Sequence, residues 1–379
     1  MRYKPFGKNK EKISVLGMGC MRLPTMSTGL SPIDEKRATT LIRQAIDMGI
    51  NYLDTAPVYH NETCESFLGR ALRGGYRERT MLATKMSRKV VNSREDCREL
   101  ISLQLNRLCT DQIDMYLLHN VTKDIWSFFE KVGVLDIIEN ARERGEIKYI
   151  GFSSHEENDF FTKLVDSHDW DFCQIQFNYV DQDIQAKKEG LEYAASKGLD
   201  VVIMEPLKGG ILARRDLPFA DVFQASKRNW SPAEWSLRWI WNHPEVSVVL
   251  SGMNSLDQLQ ENCRVAEDSG PGTLSADDLE TVEQARKAFK SSNQVPCSSC
   301  GYCLPCPQGV NIPRMFTIYN NHLLGNDSDW GVTMYNFSTA KSELASNCIS
   351  CGKCEEKCPQ KIPISKLMPE ISRTLSVSH

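Results

Sequence analysis

The sequence predicts an α/β protein, a (β/α)8 barrel over residues 1–290 followed by a small, mainly α-helical, cysteine-rich unit over 291–379. Three observations lead there. The 379 residues exceed one ordinary core and accommodate a barrel of about 250 residues plus a second unit. Short apolar runs ending in Asp54, Lys85 and His119 recur roughly thirty residues apart with helical patterns between them, as in a TIM barrel with its site at the carboxyl face. Eight of the fourteen cysteines lie after residue 296.

In chain order, residues 13–20, ISVLGMGC, read as the first barrel strand, and 34–48 as a helix with Ile42 and Ile46 on one face. Residues 51–53 are a brief buried second strand, and 80–84 and 113–118 the next two. Asn92 and Ser93 cap a helix whose buried face is Cys97, Ile101, Leu105 and Leu108. Residues 126–144 form one crossover helix ending at Gly145, and 147–152 the fifth strand. The alternation in 172–177, FCQIQF, gives the sixth strand, and 200–204 the seventh. SPAE at 231–234 announces a helix, with Trp235 and Trp239 as packing residues, before the eighth strand at 246–250. A last amphipathic helix at 274–290 packs on the outer ring, and Ser-Ser-Asn-Gln leads out of the barrel.

The formal charge of -4, without a sustained basic stripe, argues against a nucleic acid partner. The opening MRYKPFGKNKEK lacks the apolar core of a signal peptide, and no run is long enough to span a bilayer, so a cytoplasmic location and no membrane partner are expected. Without an export signal, fourteen cysteines point to a reducing compartment and metal ligation.

The chemistry concentrates in residues 51–60, NYLDTAPVYH, where Asp54 ends a strand and Tyr59 lies in the following loop. A tyrosine, with a pKa of about 10 in water, serves as a general acid toward a carbonyl oxygen once a neighbouring cation or hydrogen bonds pull that value down. Lys85 supplies the cation, and His119 closes the next strand. Each of these residues alone is commonly a cap, a surface group or a satisfied core residue. Together, in this order and spacing, Asp54, Tyr59, Lys85 and His119 resemble the catalytic tetrad of the aldo-keto reductases, and the resemblance covers most of residues 12–267.

That resemblance implies a hairpin over the barrel floor before the first strand and a nicotinamide cofactor, NADPH or NADH. It puts Gly19, Cys20 and Met21 against the nicotinamide ribose, and Ser153, Ser154 and Gln174 at the carboxamide, Ser154 standing where the family has asparagine. Met204 falls where many members stack a tyrosine on the nicotinamide, and methionine also packs against aromatic rings. Gly252, Met253 and Asn254 lead into a helix whose N-terminus suits the dinucleotide phosphates. NADPH-selective members carry a lysine and an arginine where this chain has Gly252 and Gln258, whereas Asn262 matches the adenine-contacting asparagine. The choice between NADH and NADPH stays open, with Arg264 as a candidate substitute cation.

From Cys297 the spacing is CxxCxxCxxCP, and from Cys348 it is CxxCxxCxxxCP. The second run has the pattern of bacterial dicluster ferredoxins, and the runs continue as PQGVNIPRMF and PQKIPISKLM, an internal duplication with a helix after each. The resemblance implies two 4Fe-4S clusters, one on Cys297, Cys300, Cys303 and Cys358, the other on Cys348, Cys351, Cys354 and Cys306, the last cysteine of each run crossing over. The about forty residues between the runs, with a helix-like stretch at 313–324, favour an α-helical ferredoxin arrangement over a compact β-rich one. Tetrahedral zinc is the alternative reading of CxxC pairs, though it seldom takes four cysteines in an unbroken run ending in proline. The cysteines at 20, 64, 97, 109, 173 and 263 have no ligand spacing and are mostly core.

The expected function is an NAD(P)H-dependent oxidoreductase acting on a small carbonyl or alcohol substrate. Hydride carries two electrons and a cluster usually one, so a flavoprotein or another redox partner is expected at the clusters, and two clusters point to a cytoplasm low in oxygen. Two other readings stay open: a barrel that mainly binds while the cluster unit passes electrons to a partner, and clusters that are structural or oxygen-sensing.

Overall fold

A computed structural model of the chain describes residues 1–26, 32–292, 294–323 and 328–377. An antiparallel hairpin, β1 (Tyr3–Phe6) and β2 (Glu11–Ser14), comes first. Eight parallel strands then close into a barrel: β3 (Leu16–Gly19), β4 (Tyr52–Asp54), β5 (Met81–Ser87), β6 (Ile113–His119), β7 (Ile147–Ser154), β8 (Phe172–Gln176), β9 (Asp200–Met204) and β10 (Val246–Ser251), which pairs back onto β3. The helices are α1 (Glu35–Asp47), α2 (Cys64–Ala71), α3 (Arg94–Leu108), α4 (Lys123–Val132), α5 (Val134–Glu143), α6 (Asn158–Val165) and α7 (Lys187–Ser196). They continue with α8 (Pro218–Gln224), α9 (Pro232–Trp241), α10 (Leu256–Asp268), α11 (Ala276–Ser291), α12 (Ile312–Leu323), α13 (Ser328–Phe337) and α14 (Ile364–Leu375). No described helix is long and apolar enough to cross a membrane.

Two compact units result, Met1–Pro206 with Ala233–Ala276, and Leu207–Pro232 with Asp277–His379. In the first, one apolar cluster includes Phe6 and Ile13 of the hairpin and Tyr52, Met81, Met115, Leu117, Tyr149 and Phe172 of the barrel strands. Phe6 meets Tyr149 edge-on at 5.7 Å and Phe172 at 5.6 Å, so the hairpin plugs the floor and leaves the carboxyl ends of the strands as the mouth.

Three expectations are corrected. Residues 13–20 are not one strand, because Ser14 ends the hairpin, donating its N–H to Asn51 Oδ1 at 2.7 Å, and the barrel strand starts at Leu16. The crossover at 126–144 is broken at Gly133, whose φ of 64° caps α4 and starts α5, a left-handed conformation that glycine takes without steric cost. Strand β5 runs past Lys85 to Ser87, with Lys85 paired to Leu117, so the lysine sits within a rigid ladder.

In the second unit, Val310, Ile312, Met315, Phe316, Ile362, Ile364, Met368 and Ile371 form one apolar core around α12 and α14. The segment Leu207–Pro232 groups with these C-terminal residues. Its Gly209, at φ 70°, has no room for a side chain against the Ser298 backbone, its Arg228 pairs with Asp278 at 2.7 Å, and Phe219 packs on Phe289 with centroids 5.7 Å apart.

Candidate active site and cysteine cages

Asp54, Tyr59, Lys85 and His119 meet at the mouth of the barrel. Lys85 is 1 % exposed and directs its three ammonium donors to both carboxylate oxygens of Asp54 and to the Thr55 carbonyl, each at 2.7 Å. Its charge lies 5.2 Å from the Tyr59 ring centroid, so it acts on the phenol through space. Burial raises the Asp54 carboxyl while the Lys85 ammonium opposes that shift. Tyr59 meets His119 edge-on, with ring centroids 6.4 Å apart. Desolvation, with the Lys85 and Lys89 charges adding to it, holds the His119 imidazole well below its usual range, so it is neutral near pH 7.

Local structure fixes this quartet from two sides. After Tyr59, the residues His60, Asn61 and Glu62 are all left-handed, with φ of 49°, 52° and 66°. His60 Nε2 donates to the Cys20 carbonyl at 3.1 Å and Thr63 Oγ1 to the His60 carbonyl at 2.7 Å, which pins the turn. Behind Lys85 lies a buried network that sequence reasoning missed. Gln104 Nε2 donates to the Lys85 carbonyl at 2.9 Å and to Glu65 Oε1 at 2.8 Å, Thr84 Oγ1 donates to the same carboxylate at 2.6 Å, and Tyr116 donates to Gln104 Oε1 at 2.8 Å. Arg107 balances the Glu65 charge at 3.2 Å. A polar residue three positions after Ile101, on the apolar face of α3, was the available signal.

At the candidate nicotinamide end, Ser153 Oγ accepts from the Asn120 N–H at 2.8 Å, and Ser154 Oγ donates to the Val121 carbonyl at 2.9 Å while accepting from the Glu156 N–H at 3.1 Å. Both hydroxyls are engaged in stitching β6 to β7. Gln174 donates through Nε2 to Met204 Sδ at 3.6 Å, and its Oε1 is buried without a hydrogen-bond partner among the described residues. A buried orphan acceptor is costly unless a ligand donor fills it, and a carboxamide N–H is such a donor. Gly19 and Gly252 lie along the β3–β10 edge, where a Cβ on Gly19 would reach Ser251 and one on Gly252 the Arg22 side chain. Cys20 and Met253 are buried and Met21 is half-buried, whereas Asn254 is exposed.

At α10, Ser255 Oγ accepts from the Gln258 N–H at 3.3 Å and Gln258 Oε1 from the Asn254 N–H at 2.9 Å, a reciprocal cap. Asn262 turns inward and donates to Ser251 Oγ at 3.0 Å. Arg264, the candidate substitute cation, is held by buried Glu234 at 2.6 Å.

The eight C-terminal cysteines gather into two groups that cross the duplication. One hollow of ≈ 320 Å³ is lined by Cys297, Cys300, Cys303 and Cys358, another of ≈ 370 Å³ by Cys306, Cys348, Cys351 and Cys354. None of the eight is in a disulfide. Among the described residues no three such ligands converge as a single ion requires, so the thiols ring a space instead of a point. The two runs share backbone geometry: Ser299 and Ser350 are both at φ 54°, and each donates its N–H at 3.4 Å to the sulfur two residues before it.

The model of the aldo/keto reductase family matches residues 15–287, and that of a 4Fe-4S dicluster domain matches residues 296–362. Among curated proteins, the chain is similar to the uncharacterized oxidoreductase YqkF of Bacillus subtilis, 27% identical over 70% of this chain and 91% of that one. It is also similar to L-galactose dehydrogenase of Arabidopsis thaliana, 24% identical over 76% of this chain and 95% of that one. Among solved structures, the holo form of the aldo-keto reductase AKR11C1 from Bacillus halodurans aligns with a TM-score of 0.63 at 27% identity, covering 76% of this chain and 97% of that one. An aldo-keto reductase from Klebsiella pneumoniae in complex with NADPH shares the fold, with a TM-score of 0.61 at 21% identity over 75% of this chain and 95% of that one.

Proposed function

This chain belongs to the aldo/keto reductase family of oxidoreductases, with a 4Fe-4S dicluster domain at its C-terminal end, and from that premise we propose that it reduces a small carbonyl compound, or oxidises the corresponding alcohol, with NADH or NADPH. The observation that carries this reading is the Lys85 ammonium, buried between Asp54 and Thr55, beside Tyr59 and within reach of a neutral His119. Bound nicotinamide supplies the hydride. As the carbonyl oxygen gains negative charge, Tyr59 gives it the phenolic proton, and the Lys85 charge favours the tyrosinate left behind. Asp54 holds Lys85 in place and balances its charge, and His119, being neutral, donates a hydrogen bond that aligns the carbonyl without adding a second cation.

Gln174 Oε1 supports the cofactor assignment as an acceptor awaiting the carboxamide N–H. Ser153 and Ser154 would then shape that pocket, Met204 would pack on the nicotinamide, and Gly19, Cys20 and Met21 would border the ribose. Gly252, Met253 and Asn254, which lead into α10, and Gln258 in its first turn would hold the phosphates, with Asn262 toward the adenine. The two cysteine hollows support two 4Fe-4S clusters, one on Cys297, Cys300, Cys303 and Cys358 and one on Cys306, Cys348, Cys351 and Cys354. Such clusters supply single-electron transfer, which suits a flavoprotein or another redox partner, and their thiolate ligands suit a reducing cytoplasm.

Tyr59→Phe tests the reading. Carbonyl reduction, followed by loss of nicotinamide absorbance, should fall by about 10²- to 10⁴-fold, while NADH or NADPH binding changes by less than about twofold. Unchanged turnover would remove Tyr59 from the reaction.

A further inference from the structure

His155 is the first residue beyond β7, whose neighbour β6 ends at His119. The two strand ends are stitched together past the barrel ladder. Asn120 donates its N–H to Ser153 Oγ at 2.8 Å, Val121 its N–H to the Ser153 carbonyl at 2.7 Å, and Ser154 Oγ donates to the Val121 carbonyl at 2.9 Å. His155 is thus fixed at the mouth of the barrel, partly exposed, and close enough to His119 to act on that ring electrostatically.

A second loop sets its ring. His155 Nδ1 donates to Gln185 Oε1 at 3.1 Å, and Gln185 is buried, with a left-handed φ of 58°. That loop is built for the purpose of holding a fixed shape: Asp181 donates its N–H to Asn178 Oδ1 at 2.9 Å, Gln176 Nε2 donates to Asp181 Oδ2 at 2.9 Å, and Asn178 Nδ2 donates to the Glu205 carbonyl at 3.1 Å. Burial lowers the His155 imidazole to about 4, so the ring is neutral near pH 7. With its one proton on Nδ1 and committed to Gln185, the ring presents Nε2 as an acceptor. An acceptor near the carbonyl-binding group recognises a donor on the substrate, and the donor that a small carbonyl compound carries is a hydroxyl.

We propose that His155, set by Gln185, is a specificity-determining residue whose Nε2 accepts a hydrogen bond from a substrate hydroxyl near the reacting carbonyl, so that hydroxylated aldehydes and ketones are preferred over plain alkyl ones. This rests on the carbonyl-reducing reading of the barrel.

The test compares matched pairs, glyceraldehyde with propanal and dihydroxyacetone with acetone, on the intact cluster-loaded protein. The native chain should favour the hydroxylated member by about ten- to a hundredfold in kcat/KM. His155→Leu should abolish that preference, with kcat/KM falling far more for the hydroxylated member than for the plain one, and Gln185→Leu should weaken it. Equal losses on both members, or an undiminished preference in His155→Leu, would overturn the proposal. Ligand-observed NMR separates it from failure of the reductase reading. On nicotinamide-loaded Tyr59→Phe protein, saturation transfer to dihydroxyacetone should exceed that to acetone, and adding His155→Leu should erase the difference. Absence of turnover with every carbonyl would sink the reductase reading, whereas equal transfer to both ligands would sink the hydroxyl-recognition proposal.

Discussion

Gln104 touches neither substrate nor cofactor in this reading, yet its amide ties the Lys85 backbone to Glu65 and Tyr116 inside the barrel wall. In Gln104→Leu, the Lys85 carbonyl, Glu65 Oε1 and the Tyr116 hydroxyl each lose a bond in a dry site. Stability should drop by about 1–3 kcal/mol in urea unfolding, and kcat should fall more than KM changes because Lys85 is less well placed. An unfolding midpoint equal to that of the native chain would show the network to be slack. That Asp54, Tyr59, Lys85 and His119 come together was legible because Asp54, Lys85 and His119 fall in successive apolar runs, which are consecutive barrel strands, with Tyr59 in the loop after the first. Gln104 was not, because its burial depends on Glu65 of α2 and Tyr116 of β6. Helical spacing put Leu105 on the buried face, where it is only half-buried, and left out Gln104, which is buried.

Among the elements, the cysteine runs repeat more closely in space than in sequence. Gly301 and Gly352 have φ of 75° and 74°, and α12 and α14 begin six residues after Cys306 and Cys358, at Ile312 and Ile364. One position breaks the match: Gly309, at φ 77°, corresponds to Lys361, at φ 49°. The left-handed region costs a residue with a Cβ about 1–2 kcal/mol, partly offset by the extra entropy glycine loses on folding. Lys361→Gly should therefore stabilise this unit by up to about 1 kcal/mol, seen as a later unfolding transition with an unaltered iron content. A loss of stability would mean that the Lys361 side chain contributes more than its backbone costs. Duplication was readable from the paired Cys-Pro runs, and α12 was foreseen over 313–324, of which residue 324 lies outside the described residues. The break at Gly133 was not foreseen, since the apolar pattern of 126–144 runs through it and only the backbone turn divides it.

For the molecule as a whole, burial of neutral histidines sets the response to acid. His119 is held well below the ordinary value and His155 at about 4, whereas an unfolded chain titrates its histidines near 6.5. Between those values the unfolded chain binds more protons, so stability is complete above about pH 6.5 and is lost as pH falls, by up to about 1.4 kcal/mol per pH unit for each group. Asp54, raised by burial, acts in the opposite sense above its ordinary value and softens the lower end of that window. Urea midpoints should be clearly lower near pH 5 than near pH 7, and His155→Leu should flatten the dependence; equal midpoints would contradict the neutral burial of these rings.

The course of the chain has a different consequence. It passes from the barrel unit to the cysteine unit after Pro206, returns after Pro232 and leaves again after Ala276. Nothing in composition announces that Leu207–Pro232 groups with the C-terminal residues, and its Gly209, Phe219 and Arg228 contacts bind it there. The cysteine unit is accordingly sewn through its host, and a gene fusion at one junction would transplant it with a panel missing. Moving it to another enzyme takes a second insertion, of the kind that must enter and leave an existing barrel between β9 and α9.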